Sequence, residues 1–148
     1  MKKLILFVVF MSTLVGQAQV LEPVKWSTSV NKISATEYEL VATATIDEGW
    51  HLYAQGVPED GPIPTSFSFQ SGRNFLKKGN TSEEEGHTVK DPIFEMEIKY
   101  FDTKADFKQR IKLKGKAPFD VNGVVEFMVC DDTRCLPPTE VDLVFNVK

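Results

Sequence analysis

The sequence has few of the side chains on which most enzyme active sites depend. Only two cysteines and two histidines occur among its 148 residues. The histidines, His51 and His87, lie far apart and in no ligand-spaced motif, so a metal site built from them and the cysteines is disfavoured. Glycine-rich phosphate loops, nucleophile elbows and metalloprotease motifs are absent as well. We therefore expect neither a metal nor a cofactor.

Positive charge is also scarce. The chain has 17 lysines and arginines against 21 aspartates and glutamates, which gives a formal net charge of −4. Its basic residues form no cluster that could follow a phosphate backbone or an anionic lipid surface. This charge balance predicts no nucleic-acid partner and no membrane-surface partner.

Long apolar runs are missing except at the N terminus. There, two lysines precede an apolar segment at residues 4–15, and small residues follow it. These are the three parts of a secretory signal, and the apolar segment is shorter than the roughly 20 residues that span a bilayer. We predict a signal peptide over residues 1–18 and a single exported domain over residues 19–148, with no membrane span after cleavage.

The rest of the chain alternates apolar and polar residues with a period of two. That period is typical of a strand with one buried face, and it does not fit the apolar stripe of a helix. The predicted strands are 24–30, 38–46, 50–54, 66–70, 94–100, 107–113, 124–130 and 141–147. The predicted turns between them are 47–49, 58–64, 79–81, 122–123 and 137–138. Short strands at this spacing predict an all-β, antiparallel, immunoglobulin-like β-sandwich.

Cys130 and Cys135 stand five positions apart at the end of a predicted strand. Export to an oxidising compartment favours a disulfide between them. The polar residues from Asp131 to Arg134 can form a tight turn, which brings the two Cα atoms within the roughly 4.4–6.8 Å that a disulfide needs. A disulfide is therefore the leading assignment for the pair.

The sequence leaves two uses for this disulfide open. A ring this small contributes about 2 kcal/mol of stability, which a domain of this size does not need. If Val125, Phe127 and Val129 face the core, Cys130 lies on the opposite face, where a partner could reach its sulfur. The first interpretation is a reversible disulfide used in thiol–disulfide exchange. The second is a non-catalytic immunoglobulin-like binding module with a structural disulfide.

Three segments resemble a known family. They are Cys130–Glu140, with its Leu-Pro-Pro sequence, and the upstream segments Gly49–Tyr53 and Gly61–Thr65. Together they resemble the N-terminal periplasmic domain of the thiol–disulfide reductase DsbD, over roughly residues 24–147. The resemblance implies an immunoglobulin-like fold and a periplasmic electron relay. It also implies exported thioredoxin-like oxidoreductases as partners, which would be separate proteins if this domain stands alone.

The resemblance also implies roles for individual residues. Cys135 would form mixed disulfides with partners, and Cys130 would resolve them. From the resemblance and from nearness in sequence, we predict six further residues that line the site: Tyr53, Glu84, Glu85, Asp131, Arg134 and Pro137.

The sequence departs from the family in the ring and in the loop that shields it. Better-known members have one more residue between the cysteines. They also cover the pair with a loop that carries an aromatic side chain, whereas the stretch expected to correspond, Glu83–His87, has neither Phe nor Tyr. Within the ring, the carboxylates of Asp131 and Asp132 disfavour a thiolate, while the guanidinium of Arg134 favours one at Cys135. These charges predict a modest nucleophile.

Overall fold

The computed structural model describes residues 21–148, so the predicted signal peptide lies outside the described residues. Within this range all regular elements are strands, and no helix is long and apolar enough to cross a membrane. The strands are β1 Val24–Lys32, β2 Glu37–Ile46, β3 His51–Tyr53, β4 Ser66–Phe69, β5 Phe75–Glu83, β6 His87–Lys90, β7 Glu97–Phe101, β8 Lys104–Leu113, β9 Phe119–Phe127, β10 Val129–Cys130 and β11 Thr139–Val147.

The strands form three sheets, and every named pair is antiparallel. The first sheet has the order β1-β2-β8-β5, the second has the order β11-β9-β4, and the third has the order β10-β3-β7-β6. The first two sheets pack against each other as a sandwich. The third sheet is joined to both, because β9 continues into β10 and β7 leads directly into β8. This architecture confirms the predicted all-β, antiparallel fold class.

The main core lies between the first and second sheets. Its strands turn alternate side chains inward, as the period of two predicts. The ring of Trp26 lies 5.9, 5.7 and 5.5 Å, centroid to centroid, from three phenylalanines of this core. Burial of each large apolar side chain contributes roughly 1.5–3 kcal/mol, so this core supplies most of the stability. Its buried members include Leu40, Ala42, Ala44, Ile46, Ala105, Phe107, Ile111, Val121, Val125, Phe127, Leu143, Phe145 and Val147.

A second, smaller group of buried side chains lies on the third sheet, and we call it the cysteine cluster. Its centre consists of Tyr53, Ile98 and Cys130, each at most 1% exposed. Partly buried apolar side chains surround this centre: Val57, Phe94, Met96, Tyr100, Met128 and Cys135. The cysteine pair is thus packed apart from the main core.

One predicted strand begins later than its alternation suggests. Residues 94–100 were expected to be extended from Phe94, but β7 starts at Glu97. The Asp91 carboxylate accepts hydrogen bonds from the backbone N–H groups of Ile93 and Phe94, and Glu95 has a positive φ of 56°. An aspartate that binds N–H groups two and three residues ahead stabilises a turn, so the chain between β6 and β7 bends here.

Two predicted turns are wrong. Residues 79–81 lie inside β5, where the pairing with β8 shifts between Lys78 and Ser82, and Gly79 takes the positive φ of 67° at this bulge. Gly123 lies inside β9 between β11 and β4, where a Cβ atom would come within 2.9 Å of the carbonyl oxygen of Ser68. Both glycines serve the sheet and do not end a strand.

Candidate functional site

Cys130 and Cys135 are joined by a disulfide at a narrow hairpin, which confirms the predicted pairing. Their Cα atoms are 4.0 Å apart, slightly closer than the predicted range. The N–H of Asp131 donates to the carbonyl of Arg134, and the N–H of Leu136 donates to the carbonyl of Val129, each at 2.9 Å. These two backbone hydrogen bonds, one inside the disulfide ring and one outside it, define the hairpin together with the disulfide.

The side chain of Asp131 orders the hairpin turn. Its Oδ1 accepts three hydrogen bonds of 2.8 Å, from the N–H and hydroxyl of Thr133 and from the N–H of Arg134. Its Oδ2 also meets Nε of Arg134 at 3.2 Å. These donors, led by the Thr133 hydroxyl, lower the pKa of Asp131 from its usual 3.8 to about 2. The charge of Asp131 is therefore used within the turn.

The two cysteines differ in exposure. Cys130 is 1% exposed, whereas Cys135 is only partly buried. The predicted alternation is confirmed, because Val125, Phe127 and Val129 all face the core. The expected access to Cys130 is wrong, because side chains of the cysteine cluster, among them Phe94 and Met96, cover the face opposite the core. Cys135 is therefore the more accessible of the two cysteines.

The cover over the cysteine cluster is the turn 91–96. Phe94 of this turn packs edge-on against the ring of Tyr53, with centroids 6.1 Å apart. The hydroxyl of Tyr53 donates a 2.8 Å hydrogen bond to Oδ2 of Asp91, whose Oδ1 holds the turn. Burial is the main reason why the pKa of Tyr53 is raised, and the bond to Asp91 adds to it. Asp91, which is 4% exposed, thus ties the turn to the third sheet.

An aromatic side chain, absent from the stretch 83–87, is supplied to the cysteine cluster by Phe94. The stretch 83–87, expected to be the counterpart of a shielding loop, joins β5 to β6. Glu84 accepts a 3.4 Å hydrogen bond from the N–H of Asp106, and Glu85 is exposed. Within residues 21–148, neither glutamate makes a hydrogen bond or ion pair with the hairpin, and their role at the site stays a prediction. The Asp91-Pro92 pair, a turn-initiating sequence, was the available signal for the true cover.

The other predicted residues lie at or beside the hairpin. Tyr53 belongs to the cysteine cluster, and Asp131 forms the turn. Arg134 is exposed, and its guanidinium lies 5.7 Å from the centroid of the Trp50 ring while its Nε pairs with Asp131. Pro137 is exposed just beyond the hairpin. The positive charge of Arg134 is therefore shared with Asp131 and is not reserved for Cys135.

The sequence analysis missed His51 as a neighbour of the disulfide. His51 on β3 is directly opposite Cys130 on β10. Its ring packs against that of Tyr100 at a tilt of 40°, with centroids 4.3 Å apart, and its Nε2 lies 3.4 Å from Oδ1 of Asp132. Strand pairing across 79 positions leaves no local pattern in the sequence. No group of three or more His, Cys, Asp or Glu side chains in residues 21–148 is arranged to hold a metal ion.

Comparison with known proteins connects this site to a family. The family model described as the N-terminal region of the thiol:disulfide interchange protein DsbD matches residues 17–145. Among curated proteins, the comparison finds no match.

Two solved structures share the fold. The N-terminal domain of DsbD from Neisseria meningitidis, in its reduced form, is 11% identical with a TM-score of 0.51, and the match covers 82% of this chain and 85% of that one. The N-terminal periplasmic domain of ScsB from Proteus mirabilis is 13% identical with a TM-score of 0.56, and the match covers 84% of this chain and 48% of that one. At these identities the likeness shows the immunoglobulin-like fold alone.

Proposed function

This chain belongs to the family of DsbD N-terminal domains, and we propose that it is a periplasmic electron relay that works through a reversible Cys130–Cys135 disulfide. Family membership supports thiol–disulfide exchange in general, and the relatives suggest the periplasm. The observation that carries the proposal is the asymmetry of the disulfide. One sulfur is buried in the cysteine cluster, and the other is partly open at the surface.

This asymmetry supports a division of roles between the two thiols. A partner thiolate attacks Sγ of Cys135, a partner–Cys135 bond forms, and the electron pair of the broken bond moves to Sγ of Cys130. The second thiol of the partner then releases Cys135, so two electrons have passed from the partner dithiol to this domain. The domain then passes the two electrons on. The Cys135 thiolate attacks the disulfide of an acceptor, and the Cys130 thiol resolves the mixed disulfide, which leaves the acceptor reduced and the Cys130–Cys135 disulfide restored.

The side chains around Cys135 suit a protein partner. Phe94, Met96 and Met128 are partly buried around the cysteine cluster and offer apolar, polarisable surface. Methionine adapts its shape to different contacts, which helps a relay that must meet both a donor and an acceptor. Exported thioredoxin-like oxidoreductases are the partners we propose.

The reduction potential of the disulfide tests this function. The chain lacking residues 1–18 is equilibrated in graded thiol buffers, and its free thiols are counted by alkylation and mass. We expect a midpoint between about −180 and −270 mV, the range of known exchange proteins. A midpoint potential below about −300 mV would instead mark a structural disulfide and favour the binding module.

Two matched variants test the roles of the thiols. Cys130→Ser leaves Cys135 without its resolving partner, so it should accumulate mixed disulfides with exported oxidoreductases. Cys135→Ser leaves only the buried thiol and should trap none. Equal, non-specific adducts in both variants would show that the roles are wrongly assigned.

A further inference from the structure

His51 is placed where it can respond to charge on Cys130. Residues directly opposite each other in an antiparallel pair have Cβ atoms about 4.5–5.5 Å apart and point to the same face. His51 and Cys130 are such a pair. The side chain of His51 is 21% exposed, so it lies mostly out of water beside the buried sulfur.

Two groups contact the His51 ring. Asp132, at the tip of the hairpin, approaches Nε2, and the ring of Tyr100 on β7 packs against it at a tilt of 40°. Around Tyr100, the charges of Asp102, Asp132 and Asp91 add to burial in raising its pKa. The Nδ1 atom of His51 is buried and has no hydrogen-bond partner among the described residues. Asp132 therefore offers an ion-pair partner to a protonated imidazole at Nε2.

The cationic side chains on the hairpin and on β7 have partners of their own. Arg134 pairs with Asp131 and lies over Trp50, and Lys99 pairs with Glu83. His51 is directly opposite Cys130, and its side chain can carry a positive charge.

We propose that His51 is the electrostatic partner of Cys130, which stabilises the thiolate that leaves when the disulfide opens. When a partner thiolate attacks Cys135, the electron pair of the broken bond moves to Sγ of Cys130. The imidazolium of His51 balances this charge or gives up its proton, which leaves a Cys130 thiol and a neutral imidazole. A better-stabilised leaving thiolate departs faster. This inference rests on the proposed function.

The test uses the fact that the chain has only two histidines. His87 is the matched control. It also neighbours Tyr100, which it faces across the β6–β7 pair with ring centroids 6.3 Å apart, but its ion-pair partner is Asp102. Oxidised wild type, His51→Gln and His87→Gln are reduced by dithiothreitol between pH 5 and 8.5. The rate constant is expressed per dithiothreitol thiolate, so that the reagent's own titration is removed.

We expect the wild-type rate constant to fall roughly 3- to 10-fold as pH rises through the histidine range, the effect of about one pKa unit in a leaving thiol. His87→Gln should keep this profile. His51→Gln should give a flat profile at the slower, high-pH rate. The inference is overturned if His51→Gln keeps the fall or if His87→Gln loses it.

A second variant covers the case in which His51→Gln does not fold. His51→Asn also removes the imidazole and places a smaller neutral side chain opposite Cys130. Its profile should be flat at the slower, high-pH rate, and a profile that keeps the fall would overturn the inference. If the midpoint potential lies in the expected range but His51→Gln and His87→Gln both have the wild-type pH profile, the relay still holds and only the role of His51 is removed. A disulfide that resists reduction would contradict the relay itself.

Discussion

The main core and the cysteine cluster are both buried, but they are filled and covered differently. The main core lies between two sheets and consists of aliphatic and aromatic side chains in mutual contact. The centre of the cysteine cluster has three fully buried members. One of them, Tyr53, donates a hydrogen bond from its hydroxyl to the buried carboxylate of Asp91. A turn, and not a second sheet, covers the cluster. The disulfide therefore lies in the region with the thinner cover.

This difference separates stability from access. A core between two sheets loses stability when one of its members is trimmed, because the surrounding strands relax only partly. A cluster under one turn can be opened by freeing that turn alone, since few contacts hold a turn compared with a sheet. Stability should therefore depend mainly on the first region, and the reactivity of the disulfide mainly on the second.

The largest expected loss of stability comes from the main core. Phe107 is 1% exposed and contacts Trp26, Phe67 and Phe101. Phe107→Ala should cost about 3–5 kcal/mol in the free energy of unfolding, measured by urea titration of the oxidised protein. The milder Ile111→Val should cost about 0.5–1.5 kcal/mol. If Ile111→Val moved the midpoint potential of the disulfide, stability and reactivity would not be separate.

The next largest effect should come from Asp91, which joins the turn to the third sheet. Asp91→Ala removes acceptors for the Tyr53 hydroxyl and for two backbone N–H groups. Loss of buried partners of this kind should cost about 1–3 kcal/mol and should also speed reduction of the disulfide by a small thiol. Asp91→Asn, which keeps an acceptor oxygen, is the control and should lose less on both measures. Slower reduction in Asp91→Ala would contradict a covering role for this turn.

A smaller effect on stability, with a clear effect on reactivity, is expected at Phe94. This side chain is partly buried and packs on Tyr53. Phe94→Ala should cost no more than about 1–2 kcal/mol, because a partly exposed ring buries less surface, yet it should increase the rate of alkylation of reduced Cys135. The neighbouring Ile93, which is 38% exposed, is the control, and Ile93→Ala should leave that rate unchanged. Equal rates in the two variants would show that Phe94 does not shield the site.

The same contrast explains what the sequence could predict. The main core follows from alternation, because strands such as β8 and β11 each have one buried face and one partly or fully exposed face. The edge strands β5 and β6 were missed because most of their residues are exposed and carry no apolar alternation. Gly123 was mistaken for a turn residue, although its role is to let two neighbouring strands approach.

Apart from Tyr53, which the family resemblance supplied and the structure places in the cysteine cluster, the site was predicted only as far as local sequence reaches. The disulfide, Asp131 and Arg134 lie within six positions of one another, and their arrangement follows from the turn. His51, Asp91 and Phe94 reach the cysteines only through the pairing of β10, β3 and β7. Such long-range register is set by the whole fold and leaves no spacing signal along the chain. The cover and the histidine therefore required the structure.

The smallest expected effect is the pH response of the hairpin turn. Hydrogen bonds from Thr133 and Arg134 lower the pKa of Asp131 to about 2, below its usual 3.8. Because the folded pKa is the lower one, the charged carboxylate stabilises the fold above pH 4, and this contribution is lost as pH falls from about 4 to 2. The difference in unfolding free energy between oxidised wild type and Asp131→Asn should be constant above pH 5 and shrink toward pH 2. Asp142→Asn controls for loss of a surface charge outside the hairpin. A difference that stayed constant down to pH 2 would mean that the turn is held by its backbone bonds and the disulfide, without help from the Asp131 charge.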